Sequence, residues 1–248
     1  MTDIEPAKGK LLVLTPGMGA VATTFIAGVE AVRRGLGAPI GSLTQLQTIR
    51  VGPRSDDRNP RIKDFVDITS IEDLEFAGWD VYPDNAYKAA VRAQVLKPED
   101  LEQLKDFLSG IKSMLAAFDQ AYVKRLDGSN VKKGSGRRAL AEALRQDIRE
   151  RMAETGAARA VMVWCGSTEV FLQPAACHQS IATFESGLDA DDPGRSHRPS
   201  STLTRRSWKA SHMPTERRIS LPTFQPWNSS LSNGAFVSPA KISKPARR

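Results

Sequence analysis

Two glycines that could cradle a phosphate stand near the start of the chain, in the run Gly17-Met18-Gly19-Ala20. In dinucleotide-binding proteins the first glycine permits a tight turn, and the second lets the backbone approach a pyrophosphate at the start of a helix. The same glycines also occur in ordinary connections between a strand and a helix, so both interpretations stay open. The acid that usually follows about 20 residues later to bind the ribose hydroxyl is missing from the segment RRGLGAPIGSL.

A second candidate site follows the apolar run VMVW, in the residues Cys165-Gly166-Ser167-Thr168. If that run is a strand, it brings backbone amides and two hydroxyl groups to the carboxyl edge of a sheet, where open α/β folds bind ligands. A plain turn between strand and helix, capped by Ser or Thr, would have the same composition. Two interpretations therefore remain for this segment as well.

We predict structural rather than catalytic roles for the other potentially reactive residues. Cys165 and Cys177 have no evident partner in the sequence, so we predict small core residues rather than nucleophiles. His178 is predicted to lie on the surface or to cap a helix. The basic segment 132–138, KKGSGRR, could hold a phosphate, but a solvated loop is the preferred interpretation. We predict no metal site.

The glycine run is expected to lie between a strand and a helix. The short apolar run Leu11–Leu14 predicts a buried parallel strand, and the Ala- and Val-rich segment after the glycines has helical spacing. Residues 38–63 are rich in Gly, Pro, Arg and Asp and predict an irregular excursion. Short apolar runs return around Phe65–Ile68 and Phe76–Val81.

Two helices are predicted after Pro98. Apolar residues of the first recur at steps of three and four, at Leu101, Leu104, Leu108, Ile111, Leu115 and Phe118. The second is predicted to stop at Gly156, and its apolar positions are Leu140, Leu144, Ile148 and Met152. The segment RAVMVWCGS then predicts another buried strand. Strands that alternate with helices indicate an α/β fold with a parallel sheet.

The positive charge of the chain is concentrated at its C-terminal end. The net charge is +7, but the residues from Gly194 onward hold eleven Lys and Arg and one acid, so residues 1–193 carry a charge of −3. A basic tail could bind nucleic acid. Its aromatic residues follow no pattern, however, so we expect no nucleic-acid partner; they are Trp208, Phe224, Trp227 and Phe236.

Composition also indicates a compartment. Two cysteines in 248 residues do not form a disulfide framework. No apolar run approaches the ~20 residues that a membrane span needs, and the segment MTDIEPAKGK lacks the apolar core of a signal peptide. We therefore expect a cytoplasmic protein with no membrane partner.

Four separated blocks resemble bacterial myo-inositol-1-phosphate synthase, also called inositol-3-phosphate synthase. They are TPGMGAVATTFIAGV, GSLTQLQTIRVGPR, FAGWDVYPDNAYKAA and VMVWCGSTEV, in this order and spacing. The resemblance runs from about Lys8 to Pro193. It implies a Rossmann-like NAD-binding domain with a parallel sheet over residues 1–193, incomplete in this chain, and a family homo-oligomer, with a tetramer expected.

The resemblance also implies which residues bind the cofactor NAD. The pyrophosphate falls on Gly17, Met18, Gly19 and Ala20, although eukaryotic relatives carry a fuller glycine run there. The acid of the G-W-D block, Asp80, contacts the adenosine side and replaces the carboxylate missing after the first helix. The segment near the nicotinamide falls on Cys165, Gly166, Ser167 and Thr168.

The family pattern stops near Pro193, and the genetic code suggests why. When the third base of each codon is combined with the first two of the next, the residues from Gly234 permit the sequence GVCISGKDFKTGQT. That sequence contains the family's lysine-bearing block, and earlier tail segments permit two further family blocks in order. We therefore predict that residues 194–248 are an out-of-frame, disordered, basic tail.

The family reaction converts glucose 6-phosphate to myo-inositol phosphate, by hydride removal to NAD, enolisation, aldol closure and hydride return. The lysines that resemble its catalytic groups fall in the lost frame, so we assign no catalytic residue and expect the chain to be inactive, with weak affinity for NAD. The alternatives are a generic NAD-dependent oxidoreductase and a nucleic-acid-binding protein that uses the basic tail.

Overall fold

A computed structural model describes residues 8–120, 123–134, 136–168 and 179–190. These residues all lie in one compact unit, Met1–Met213, and the second unit, Pro214–Arg248, lies outside them. The predicted tail 194–248, Cys177 and His178 are likewise outside the described residues. No helix in the described part is long and apolar enough to span a membrane.

The described residues form a parallel sheet with helices on both faces, which confirms the predicted fold class. The strands are β1 (Leu11–Pro16), β2 (Leu74–Asp80), β3 (Met114–Leu115) and β4 (Arg159–Met162). The helices are α1 (Ala20–Arg33), α2 (Leu43–Leu46), α3 (Ile62–Phe65), α4 (Ala86–Ala93), α5 (Pro98–Gln103), α6 (Lys105–Gly110), α7 (Arg137–Thr155) and α8 (Ile181–Asp189).

The strand order is β3-β2-β1-β4, with every pairing parallel. This order makes β1 and β2 the central strands, and their carboxyl ends, at Pro16 and Asp80, lie side by side in the sheet. Strands β2 and β3 are added on one side of β1, and the chain then returns to place β4 on the other side of β1. Doubly wound sheets bind their ligands at the point where the strand order reverses in this way.

Each face of the sheet has its own core because side chains of a strand alternate between faces. Leu12 and Leu14 of β1 are buried with residues of α7 and α8. Val13, between them in sequence, is buried on the other face with residues of α1, α4, α5 and α6. The apolar run of β1 is therefore covered on both sides, as predicted for a central parallel strand.

Two sequence predictions about the helices have different outcomes. The helix α7 ends at Gly156, which has a left-handed φ of 67°, as predicted. The single helix predicted over Leu101–Phe118 is wrong: α5 and α6 are separate helices, broken at Leu104, and residues Met114–Leu115 form β3. Leu115 fits the three- and four-residue spacing by coincidence, since it is 47% exposed and does not mark a core position.

The strand predicted after Arg159 is present, but it is not buried. Val161 in β4 is 38% exposed, since β4 pairs only with β1 among the described residues. The excursion predicted over 38–63 is also present, with only short helices and a bridge between Thr48 and Arg61. Phe65, in the apolar run that follows it, ends α3 and is exposed.

Candidate functional site

A cavity of about 310 Å³ lies at the carboxyl ends of the strands. Small-molecule pockets occupy about 300–1,000 Å³, so this cavity has room for one half of a dinucleotide. The glycine turn, the end of β2, helix α4 and the segments that follow β3 and β4 form its walls. Both candidate sites from the sequence, around Gly17 and around Gly166, border this one cavity.

The glycine at the end of β1 is required by the close approach of two backbones. Gly17 has a left-handed φ of 91° and donates its N–H to the Trp79 carbonyl at 2.8 Å. A Cβ at this position would lie 2.5 Å from the Cα of Gly166. The absence of a side chain therefore lets the turn after β1 contact the segment after β4.

The second glycine opens the start of α1 to an anion. Gly19 is the N-cap of α1, with extended backbone and no side chain that caps the helix. A Cβ built on Gly19 would meet nothing within 4 Å, and Gly19 and Ala20 both border the cavity. Since the first turn of a helix has N–H groups without intrahelical partners, this end of α1 fits a pyrophosphate.

Asp80 ends β2 and joins the glycine turn to the strand. Its Oδ2 accepts a hydrogen bond from the Met18 N–H at 2.6 Å, and its Oδ1 accepts one from the Tyr82 N–H at 3.0 Å. Asp80 borders the cavity next to Gly17 and Gly19. The end of the second strand is where dinucleotide-binding folds carry the acid that binds the ribose hydroxyl.

Asp80 is a candidate for the acid that was missing from the sequence pattern. Helix α1 does not lead directly into β2, because residues 34–73 lie between them. The acid therefore occupies the usual place in the fold although it is far from the glycines in the sequence. The Met18 N–H is bonded to Asp80 and the Met18 side chain is buried, which leaves Gly19 and Ala20 as the cavity-lining residues at the start of α1.

An asparagine that sequence reasoning missed holds the ends of β2 and β3. The Asn130 Nδ2 donates to the carbonyls of Asp80 at 2.8 Å and Met114 at 3.1 Å. The Asn130 N–H donates to the Val81 carbonyl at 2.8 Å. Gly128 lies so close that a Cβ there would collide with the Val81 carbonyl oxygen. The G-S-N tripeptide is the only sequence signal, and it reads as an ordinary turn.

The basic segment 132–138 is not simply a solvated loop. The Lys132 Nζ lies 2.8 Å from the Asp147 Oδ2, and the two side chains are only 11% and 17% exposed. Asp147 also accepts a hydrogen bond from the Trp79 Nε1 at 2.6 Å. Lys132 is therefore a structural partner of α7 and β2, which corrects the prediction for this residue, while Ser135 lies outside the described residues.

The segment after β4 supplies the opposite wall of the cavity. Cys165, Gly166 and Ser167 border it, whereas Thr168 is exposed and is not part of the wall. The Cys165 N–H donates to the Pro16 carbonyl at 2.9 Å, which continues the pairing of β4 with β1. Burial raises the pKa of the Cys165 thiol above its ordinary value, which disfavours the thiolate. Cys165 is half-buried in the cavity wall, which corrects the prediction of a core residue.

A family model described as myo-inositol-1-phosphate synthase matches residues 11–204. The chain is 46% identical over 187 residues to inositol-3-phosphate synthase 1 of Bacteroides thetaiotaomicron, a match that covers 75% of this chain and 43% of the relative. It is 29% identical over 207 residues to inositol-3-phosphate synthase 1 of Oryza sativa, which covers 77% of this chain and 40% of that protein.

The fold also matches a solved structure, inositol-3-phosphate synthase of Caenorhabditis elegans. The TM-score is 0.67 at 24% identity, and the match covers 76% of this chain and 40% of the worm chain. The chain thus spans less than half the length of the relatives that it matches.

Proposed function

Since the chain belongs to the myo-inositol-1-phosphate synthase family, we propose that residues 1–193 are part of the NAD-binding domain of an inositol-3-phosphate synthase. Such an enzyme converts glucose 6-phosphate to myo-inositol phosphate. The observation that carries the proposal is that Asp80, although distant in sequence from Gly19 and Ala20, borders the same cavity as they do at the carboxyl edge of the sheet.

Each part of the cavity has a proposed role toward the dinucleotide. The amides at the start of α1, at Gly19 and Ala20, bind the pyrophosphate, supported by the uncapped helix end. The Asp80 carboxylate, held by the Met18 and Tyr82 amides, accepts from the ribose hydroxyls of the adenosine. Cys165, Gly166 and Ser167 lie toward the nicotinamide, and Thr168 is the least supported of the predicted contacts because it is outside the cavity wall.

Bound NAD would supply the hydride acceptor of the first step and the hydride donor of the last. The residues of this chain contribute binding and orientation, and we assign none of them to proton transfer. Aldol closure generates negative charge on oxygen beside a phosphate, and stabilising that charge requires positive groups. The family motif that resembles these groups, GKDFKTGQT, is permitted by the codons of the tail only in the shifted reading.

The 248-residue chain is therefore proposed to bind NAD weakly and not to complete the isomerisation. The matched part of the Bacteroides relative is 43% of its length, which leaves room for a sugar-phosphate site beyond the match. The proposal also includes the frame change near Gly194, a cytoplasmic location, assembly as a homo-oligomer in the restored protein, and no nucleic-acid role for the basic tail.

One experiment tests the reaction and the frame change together. The purified 248-residue chain and a frame-restored version are incubated with NAD and glucose 6-phosphate, and inositol phosphate is measured. We expect turnover only in the restored protein. Turnover by the 248-residue chain, free of any full-length contaminant, would overturn the assignment of the catalytic groups. Sequencing the gene across the codons for Asp192 to Arg198 locates the frame change directly.

A further inference from the structure

An arginine of α4 is fixed against an aromatic ring at the rim of the cavity. The Arg92 Cζ lies 4.2 Å from the centroid of the Tyr82 ring, which is stacking distance for a cation on a π face. A guanidinium NH1 of Arg92 is ion-paired with the Asp84 carboxylate. Both interactions hold the guanidinium in place before any ligand binds.

The stacked pair is tied to the proposed ribose acid. Tyr82 follows Asp80 by two residues, and its N–H donates to the Asp80 Oδ1 at 3.0 Å. Tyr82 and Arg92 border the same cavity as Asp80. Among the described residues that line this cavity, Arg92 is the one cation and Asp80 the one anion.

The connectivity of a nucleotide then limits where its base can lie. The adenine is bonded to the ribose that Asp80 is proposed to bind, so it must lie within a few ångströms of the end of β2. On that side the cavity wall is formed by Val81, Tyr82 and the small residues Ala89 and Ala93 of α4, together with Arg92. The two alanines add no long side chain to this part of the wall.

The exposure of Arg92 leaves a surface for that group. One side of the guanidinium covers Tyr82, yet the Arg92 side chain is still 49% exposed. A planar guanidinium that is already ordered loses little further conformational freedom when a flat ring stacks on it. Unpaired bases stack on arginine guanidinium planes as well as on aromatic rings.

We propose that Arg92, supported by Tyr82 and Asp84, binds the adenine base of the dinucleotide by stacking. The assignment rests on the proposed NAD site. Because the contact is made by a plane rather than by a charge, it differs from ion pairing with the pyrophosphate, which the same guanidinium could also make. The two roles give different results when arginine is replaced by lysine.

The test compares ligands that carry opposite ends of NAD. Binding of ADP-ribose and of nicotinamide mononucleotide to the 248-residue chain is measured by ligand-observed NMR, for the unmodified chain and for R92A, R92K and R92M. K88A is the matched control, since Lys88 is an exposed residue of the same helix outside the cavity wall. Thermal unfolding of each variant verifies the fold, and R92M retains the aliphatic stem if R92A unfolds at the assay temperature.

We expect R92A, R92M and R92K each to weaken ADP-ribose binding about tenfold or more. The affinity for nicotinamide mononucleotide should change less than about twofold in every variant. K88A should leave the affinity for both ligands unchanged. Recovery of ADP-ribose binding in R92K would overturn stacking in favour of phosphate pairing. Unchanged ADP-ribose binding in R92A would overturn any role for Arg92. If the unmodified chain binds neither ligand, the proposed NAD site is wrong and the role of Arg92 falls with it.

Discussion

The ends of β2 and β4 border the same cavity but are held in different ways. At the end of β2, side chains fix the backbone: Asp80 accepts from two amides, and Asn130 donates to two carbonyls. At the end of β4, within the described residues, the contacts are those of the backbone, such as the Cys165 N–H with the Pro16 carbonyl. The close approach of Gly17 to Gly166 completes that wall.

This difference suggests that the two halves of the site depend on different parts of the protein. The wall around Asp80 is assembled by residues that are in contact within the described fold. The wall around Gly166 is formed beside β4, whose outer edge has no strand partner among the described residues. We therefore expect the adenosine half of the site to be preformed in this chain and the nicotinamide half to be less constrained.

The largest expected effect comes from the contact between the two walls. G17A should lower the free energy of unfolding by about 3 kcal/mol or more, because a Cβ is strained at this left-handed φ and would collide with the Gly166 backbone. Chemical denaturation measures the change. The control is G19A, where the Cβ meets open space; it should cost at most about 1 kcal/mol but weaken NAD binding. Equal destabilisation by both variants would contradict the packing described for Gly17.

The next largest effect is expected when the negative charge at the end of β2 is removed. D80N removes the carboxylate and offers one acceptor oxygen where two amides now donate. We expect a loss of about 1–3 kcal/mol in the free energy of unfolding and at least a tenfold loss of ADP-ribose affinity. Calorimetric unfolding and ligand-observed NMR provide the two measurements. Stability lost with nucleotide binding retained would make Asp80 a purely structural residue.

A smaller effect is expected from the support behind Asp80. N130A removes two side-chain hydrogen bonds and keeps the backbone bond to Val81, so the free energy of unfolding should fall by about 1–2 kcal/mol. ADP-ribose affinity should fall less than in D80N. S129A changes the neighbouring exposed residue and is the control. The interpretation fails if S129A is as damaging as N130A in the same denaturation series.

The smallest effect concerns the thiol in the β4 wall. Because burial raises the pKa of Cys165 above its ordinary value, its thiolate fraction at any pH near 8 is smaller than that of free cysteine. Iodoacetamide should therefore modify Cys165 several times more slowly in the folded chain than in the denatured chain, as followed by mass spectrometry of its peptide. Folded-state rates equal to those of denatured protein would show that the β4 wall is open to solvent.

Much of the fold follows from local patterns because its central strand is buried on both faces. The run Leu11–Leu14 and the stop of α7 at Gly156 were predicted correctly from apolar spacing and glycine alone. The break at Leu104 and the strand at Met114–Leu115 were not predictable, since a two-residue strand carries no period of its own. Its pairing with β2 decides its structure.

The residues of the candidate site were also difficult to predict, because they come from distant parts of the sequence. The glycines could be recognised in the sequence beside β1. Asp80 could be assigned to the same site only through the family resemblance, because residues 34–73 lie between α1 and β2. Asn130 and Arg92 carried no recognisable signal, and the charge of Lys132 was misinterpreted as solvated. The contacts of these residues are with Asp80, Tyr82 and Asp147, which are distant in the sequence. Such contacts exist only after the sheet has assembled.

The central claim is that the glycine turn, Asp80 and the segment after β4 form one NAD site, and amide NMR during an NAD titration tests it most directly. With a ¹⁵N-labelled 248-residue chain, we predict saturable shifts of the Gly19, Ala20 and Tyr82 amides, with a smaller response at Gly166. A titration that shifts none of these amides, or only amides on the opposite edge of the sheet, would contradict the account.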